Sequence, residues 1–320
     1  MNLIDKILSL NVLVEKPPVL IDIGASGELH KPWKKISKYS ICIAFDADER
    51  KFDFVREESG NFRKLLIYNC IVTNNESSET DFYLTKSPYC SSLLEPNEQA
   101  LLDWAFSEKF KVEKKVKMNS ISLNSVLSEA KVDYIDWFKT DSQGIDLRLF
   151  TSLPDAIRNK ILVAEFEPGI LDSYHGEDKL FQLMEFINDK NFWMSDIEIR
   201  GTQRISVELL NKISENEIVK KLIQHSLKIS PGWAEVKYIN SFKGNFEKRD
   251  YLLGWIFASI NNQLGFALTL AEQGLQKFAD DIFSDMKNQS IRQIKKNLFK
   301  LKFMRSVSKK LRSFLTNSIG

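Results

Sequence analysis

Val19-Leu20-Ile21-Asp22-Ile23-Gly24-Ala25-Ser26-Gly27-Glu28 is the stretch on which the fold turns. A short apolar run without Gly or Pro reads as a buried strand. It enters D-x-G-x-x-G, where glycine permits a sharp turn and close approach to the backbone, and a carboxylate at the strand end can meet a cation. A second apolar run, Ser40–Phe45, leads into Asp46-Ala47-Asp48. Asp46 stands 22 residues beyond Gly24, the spacing at which an acid after the second strand accepts hydrogen bonds from ribose hydroxyls. Asp22 occupies the place of the first glycine in a dinucleotide fingerprint. Its charge repels a pyrophosphate but suits a ligand bearing an ammonium and a sulfonium, as S-adenosylmethionine does.

Working outward, further strand-like runs are Leu65–Tyr68, Tyr134–Lys139, Ile161–Phe166 and Trp193–Ile199. They are continuously apolar rather than alternating, as when helices cover both faces of a parallel sheet. Helical stretches lie between them: one from Pro32, one after the N-cap Ser122, one over Ile145–Leu153 and one over Asp178–Asp189. This order predicts a doubly wound, mostly parallel α/β sheet of Rossmann-like type over residues 1–200. Asp81–Leu84 reads as an extra strand. Thr85–Asn97, with Pro88 and Pro96, reads as a long loop whose Tyr89, Ser91 and Ser92 are placed to cover an acceptor substrate. After Gly201 the alternation stops. Residues 205–226 and 249–318 look helical, with breaks at Ser230-Pro231-Gly232 and Lys243-Gly244-Asn245, so 201–320 is expected to be a helical extension.

The runs DIGASGE, IAFDAD, VDYIDWFKTDSQGIDLRLF and ILVAEFEP resemble, in order and spacing, those of FkbM-type S-adenosylmethionine-dependent methyltransferases. The resemblance covers residues 18–200 and is strongest at Lys139-Thr140-Asp141-Ser142-Gln143-Gly144, where the family shows K-x-D-x-[EQ]-G. It departs at Asp46-Ala47, where family members place an acid and a proline. It implies a class I methyltransferase fold that transfers a methyl group to a hydroxyl of a saccharide or another small metabolite. It further implies that Asp22, Gly24, Ala25 and Gly27 line the methionine half of the cofactor and Asp46 holds the ribose. Asn69 and Cys70, after the third strand, then fall beside the adenine, and Asp141 stands at the carboxyl end of the fourth strand.

A hydroxyl acceptor needs a base. His175 follows the fifth strand and is one candidate; Asp141 is the other. Glu165 and Glu167 lie two apart and so share a face, where they can bind substrate hydroxyls. Together with Asp141 and His175 they can also surround a hard cation such as magnesium, the lesser reading because oxygen clusters are not diagnostic by spacing. Two other functions compete: an NAD-dependent enzyme on a similar sheet, and a non-catalytic scaffold. A scaffold has no need of acids along a sheet edge.

The bulk composition, 43% hydrophobic and 28% charged, is that of an ordinary globular chain. Cys42, Cys70 and Cys90 are odd in number with no CxxC pair, which excludes a disulfide framework and fits a reducing, cytoplasmic setting. The first residues carry an acid at position 5 and do not read as a signal peptide. Tyr251–Ala271 lacks charge over 21 residues, yet Asn261-Asn262-Gln263 at its centre argues for a buried helix rather than a membrane span. The net charge of +2 is unevenly spread. Met286–Gly320 holds ten Lys or Arg and no acid, interleaved with apolar residues at steps of three or four. Such a tail either packs on the acidic remainder or rests on an anionic lipid surface as a peripheral contact, where a lipid-linked acceptor would reside. It has few aromatic residues for stacking, and no sequence-specific nucleic-acid recognition is expected.

Overall fold

Five short strands set the frame: β1 (Val19–Ile23), β2 (Ile41–Phe45), β3 (Lys64–Tyr68), then, after an accessory sheet, β7 (Trp137–Thr140) and β8 (Val163–Phe166). Every residue of β1 is buried. That is the environment of a central parallel strand, whose run is therefore continuously apolar. The computed structural model describes residues 2–25, 30–45, 47, 61–75 and 77–317, with side chains as far as Lys300. The chain forms two compact units, Lys16–Asn245 and Met1–Glu15 with Phe246–Gly320.

In the first unit two long strands, β9 (Phe192–Gln203) and β10 (Ile229–Asn240), complete a seven-stranded sheet of order β3-β2-β1-β7-β8-β10-β9. β10 runs antiparallel to both neighbours. Counting only these strands, the order is 3-2-1-4-5-7-6. The accessory sheet holds β4 (Ile71–Thr73), β5 (Glu79–Thr85) and β6 (Val112–Ser122) in the order β4-β6-β5. An α/β architecture with a mostly parallel sheet is thus as expected. Helices Leu123–Ala130, Asp146–Ser152 and Leu180–Asn188 fall where periodicity puts them, the first capped by the Ser122 hydroxyl accepting the Ser125 N–H. Their buried faces meet Ile21, Ile23, Phe138, Ala164 and Phe166 in one core.

Three expectations are corrected. The sheet does not end near residue 200, because Ser230-Pro231-Gly232 lies within β10 and the first unit runs to Asn245. The register shifts between Pro231 and Trp233, and a bulge is where a strand tolerates proline. The stretch at Pro32 makes only a short 3-10 helix, Lys31–Lys35. Tyr251–Ala271 is not one helix: Lys248–Ile260 and Leu264–Phe278 are joined at Asn261-Asn262-Gln263, with Asn262 in the left-handed region at φ 58°. Among the described residues no helix is long and apolar enough to cross a membrane. The helix Asp281–Asn317 completes the second unit.

Candidate functional site

The strand order reverses between β1 and β7, and at their carboxyl ends a cavity of about 430 Å³ opens. Open α/β sheets bind ligands at this switch point, and the volume is that of a small-molecule site. Ile23 and Gly24 line it at the end of β1, Phe45 and Ala47 at the end of β2, Cys70 before β4 and Ile71-Val72 within it, and Asp141 and Glu167 after β7 and β8.

Gly24 fixes the geometry. Its φ is +80°, and a Cβ there would stand 2.2 Å from the Asp141 carbonyl oxygen. The Asp141 N–H donates to the Ile23 carbonyl at 2.9 Å, while the N–H groups of Gly24 and Ala25 both donate to the Phe45 carbonyl. The ends of β1, β2 and β7 are therefore tied at one glycine. Ala25 is buried behind this turn and does not line the cavity. Gly27 and Asp46 lie outside the described residues.

Asp22 behaves differently from expectation. It is buried, with Oδ1 receiving Lys139 Nζ at 2.6 Å and Oδ2 receiving the His30 N–H at 3.2 Å, and it does not line the cavity. It begins a row of alternating charge that the register aligns across five strands: Asp22, Lys139, Glu165, Lys237 and Asp196. Opposite charges directly across strands stabilise the pairing. Burial works against the Lys139 charge, but Asp22, Asp141 and Glu165 around it prevail and hold its pKa above the usual range. Glu165 also belongs to this row rather than to the cavity. Its carboxylate accepts the Trp137 indole N–H at 2.7 Å, pairs with His30 Nε2 at 3.1 Å and sits 3.4 Å from Lys237. Burial opposes ionisation, yet His30, Lys237 and Lys139 together keep Glu165 below the ordinary carboxylate range.

Asp141 and Glu167 are the strand-end acids that do line the cavity. Burial raises both; the Asp141 charge raises Glu167 further, while Lys139 and hydrogen bonds from Gln143 and Glu167 only partly offset the burial of Asp141. Two neighbouring buried carboxyls cannot both ionise cheaply, so the pair retains a proton. Asp141 Oδ1 receives Gln143 Nε2 at 2.5 Å. Gln143 stands in the left-handed region at φ 56°, and its carbonyl accepts the Ser92 hydroxyl at 2.7 Å. The loop is pinned by Asp146, which accepts the Thr140 hydroxyl, both donors of Ser142 and, at 2.6 Å, the Glu167 N–H. Burial raises Asp146 to about 6 against these donors.

Further lining comes from loops and from the added strand β10: Tyr174 and Glu177 before the helix Leu180–Asn188, Cys90 and Ser91 from the long loop, Phe106 and Phe110, and Trp233 of β10. The Tyr174 hydroxyl is shared between the Cys90 carbonyl at 2.8 Å and Gln143 Oε1 at 3.0 Å. Glu177 Oε1 receives the Ser173 N–H at 2.6 Å and Lys179 Nζ at 2.7 Å. Burial pushes the Cys90 thiol up to about 11 and raises Cys70, so neither presents a reactive thiolate.

The structure thus brings together Gly24, Cys70, Ser91, Asp141 and Glu167, with Tyr89 at the same lining and largely exposed. It removes others. The side chain of His175 is exposed and off the cavity, and its backbone N–H donates to the Glu95 carbonyl. Asn69 is exposed and off the lining, and Ser92 is buried as the loop's hydrogen-bond anchor. Among the described residues no group of three or more His, Cys, Asp or Glu is arranged to hold a metal ion. Sequence reading missed Tyr174, Glu177, Phe106, Phe110 and Trp233. A run of aromatics in supposed loops was the available signal. No family profile, curated protein or solved structure matches the chain.

Proposed function

We propose that the protein is an S-adenosylmethionine-dependent methyltransferase of class I fold, acting on a hydroxyl of a saccharide or another small hydroxylated metabolite. The observation that carries the reading is Gly24, whose backbone meets Asp141 where only glycine fits, at the mouth of a cavity on the switch point of the sheet. The fit to such a ligand is favourable. Phe45, Ile71 and Val72 offer an apolar wall for a purine, and Asp141 and Glu167 offer carboxyl oxygens to cationic or hydroxyl groups. When bound, the cofactor supplies an electrophilic methyl group.

The chain's own residues have three tasks. Asp141, rather than Asp22, is the acid presented to the ligand, and of the Asp22–Lys139 pair behind it Lys139 favours its ionisation while Asp22 opposes it. The ionised member of the Asp141–Glu167 pair takes the proton of the acceptor hydroxyl, the role for which a raised carboxyl is suited. Phe106, Phe110, Tyr174 and Trp233 restrict water around the reacting groups.

The NAD alternative is weakened by different residues than the sequence suggested. Lys139 neutralises Asp22, so repulsion of a pyrophosphate falls instead to Asp141 and Glu167. The reversed strand β10, between the fifth and sixth places, also departs from the 3-2-1-4-5-6 dinucleotide order. A thermal-shift titration tests the reading. S-adenosylhomocysteine should raise the melting temperature with concentration as mass action requires, and Ala47→Trp, which fills the cavity, should abolish the rise. A rise of equal size in Ala47→Trp counts against this site.

A further inference from the structure

The helix Asp281–Asn317 has 37 residues, a length of about 55 Å at the helical rise per residue. Its beginning is packed. Ile282, Phe283, Met286 and Ser290 are buried, Phe283 lies where a Cβ on Gly274 would clash, and the Trp255 indole N–H donates to the Ser290 hydroxyl at 2.9 Å. From Ile291 to Lys300 no residue is buried. Ile294, Leu298 and Phe299 are 37%, 49% and 69% exposed, an unusual outlay of large apolar surface on one turn and a half of helix. Beside them Arg292, Lys295, Lys296 and Lys300 are exposed, with no acidic partner among the described residues. The sequence continues in the same way, since ten Lys or Arg and no acid occur between Met286 and Gly320.

We infer that this helix, from Ile291 onward, docks on an anionic lipid surface. Charge selects the occupant. A second copy of the same helix would bring unopposed cations together. A nucleic-acid backbone would satisfy the cations but leave Ile294, Leu298 and Phe299 in water. An anionic bilayer takes both: the apolar side chains enter the headgroup–acyl boundary while lysines and arginines meet the phosphates and carboxylates. The inference does not depend on the methyltransferase reading.

Co-sedimentation of the full chain with vesicles of phosphatidylcholine alone, or of equal parts phosphatidylcholine and phosphatidylserine, tests it. The protein should pellet with the anionic vesicles at low salt, stay in solution with the neutral ones, and be released at about 0.5 M salt, where screening is nearly complete. Two triple variants should each lower the partition coefficient about tenfold or more: Ile294→Ser with Leu298→Ser and Phe299→Ser, and Lys295→Glu with Lys296→Glu and Lys300→Glu. All six side chains are exposed, so melting temperatures should match the parent. Full-length protein left in the supernatant at low salt overturns the inference, as does undiminished binding by both variants. A dimer in sedimentation equilibrium that the serine variant dissolves would assign the face to a second copy instead. Duplex RNA displacing the protein from vesicles at equal charge concentration would assign it to nucleic acid.

Discussion

Replacing Gly24 by alanine isolates the contact on which the site is built. Two penalties add. The left-handed φ of +80° costs an L-residue about 1–2 kcal/mol. The new Cβ, 2.2 Å from the Asp141 carbonyl oxygen, must also be relieved by roughly an ångström of backbone movement. Movement of that kind costs about 1–3 kcal/mol in a packed interior. Gly24→Ala should therefore destabilise the first unit by about 2–5 kcal/mol and lower its melting temperature by about 4–20 °C, at the 2–4 °C per kcal/mol of a chain this size. Gly176→Ala is the internal control, because its φ is +69° and nothing lies within 4 Å of its Cβ position. It bears the conformational penalty alone. Urea unfolding of the two variants, followed by circular dichroism, reads the difference directly. Equal losses in both would refute the close approach of Gly24 to Asp141. A larger loss in Gly24→Ala, together with weakened ligand binding, is the expected result.

His175→Ala should leave stability within about 0.5 kcal/mol and methyl transfer unchanged, since the ring is exposed and away from the cavity; loss of turnover in that variant would restore it as the base. Lys139→Met leaves Asp22 buried without its cation and should cost about 3–5 kcal/mol by denaturant titration, part of which Asp22→Asn in the same chain recovers. Asp141 and Glu167 are raised in the folded state, so they contribute stability at acid pH that is lost as pH climbs through the folded values. Glu167→Gln should flatten that decline, which a series of melts from about pH 4 to about pH 9 would record; an unaltered slope would place the retained proton elsewhere.

The parts of the fold legible in the sequence are those where burial is two-sided. β1, β2, β7 and β8 lie inside the sheet, and nothing but apolar residues suits most of their positions. β6 escaped notice because Val112–Ser122 carries three lysines on a half-exposed strand, where alternation is weak and charge reads as loop. β10 escaped because Pro231 and Gly232, ordinarily punctuation, sit at a bulge between β10 and the edge strand β9. At the site, Gly24 and Asp141 were legible because backbone geometry and strand-end position are local properties. The fate of Asp22, Glu165 and His175 was not. Whether an acid faces a ligand or a lysine on the neighbouring strand is decided by register, as the row from Asp22 to Asp196 illustrates. Exposure of His175 likewise depends on how its loop is pinned to Glu95, a partner 80 residues earlier.

Calorimetric titration of the full chain with S-adenosylhomocysteine and, separately, with NADH bears most directly on the cavity between β1 and β7. One S-adenosylhomocysteine per chain should bind, NADH should give no saturable heat, and Asp141→Asn should weaken the first by about tenfold, the loss of a charge-assisted hydrogen bond. Saturable NADH binding by a folded chain that ignores S-adenosylhomocysteine would contradict the methyltransferase reading.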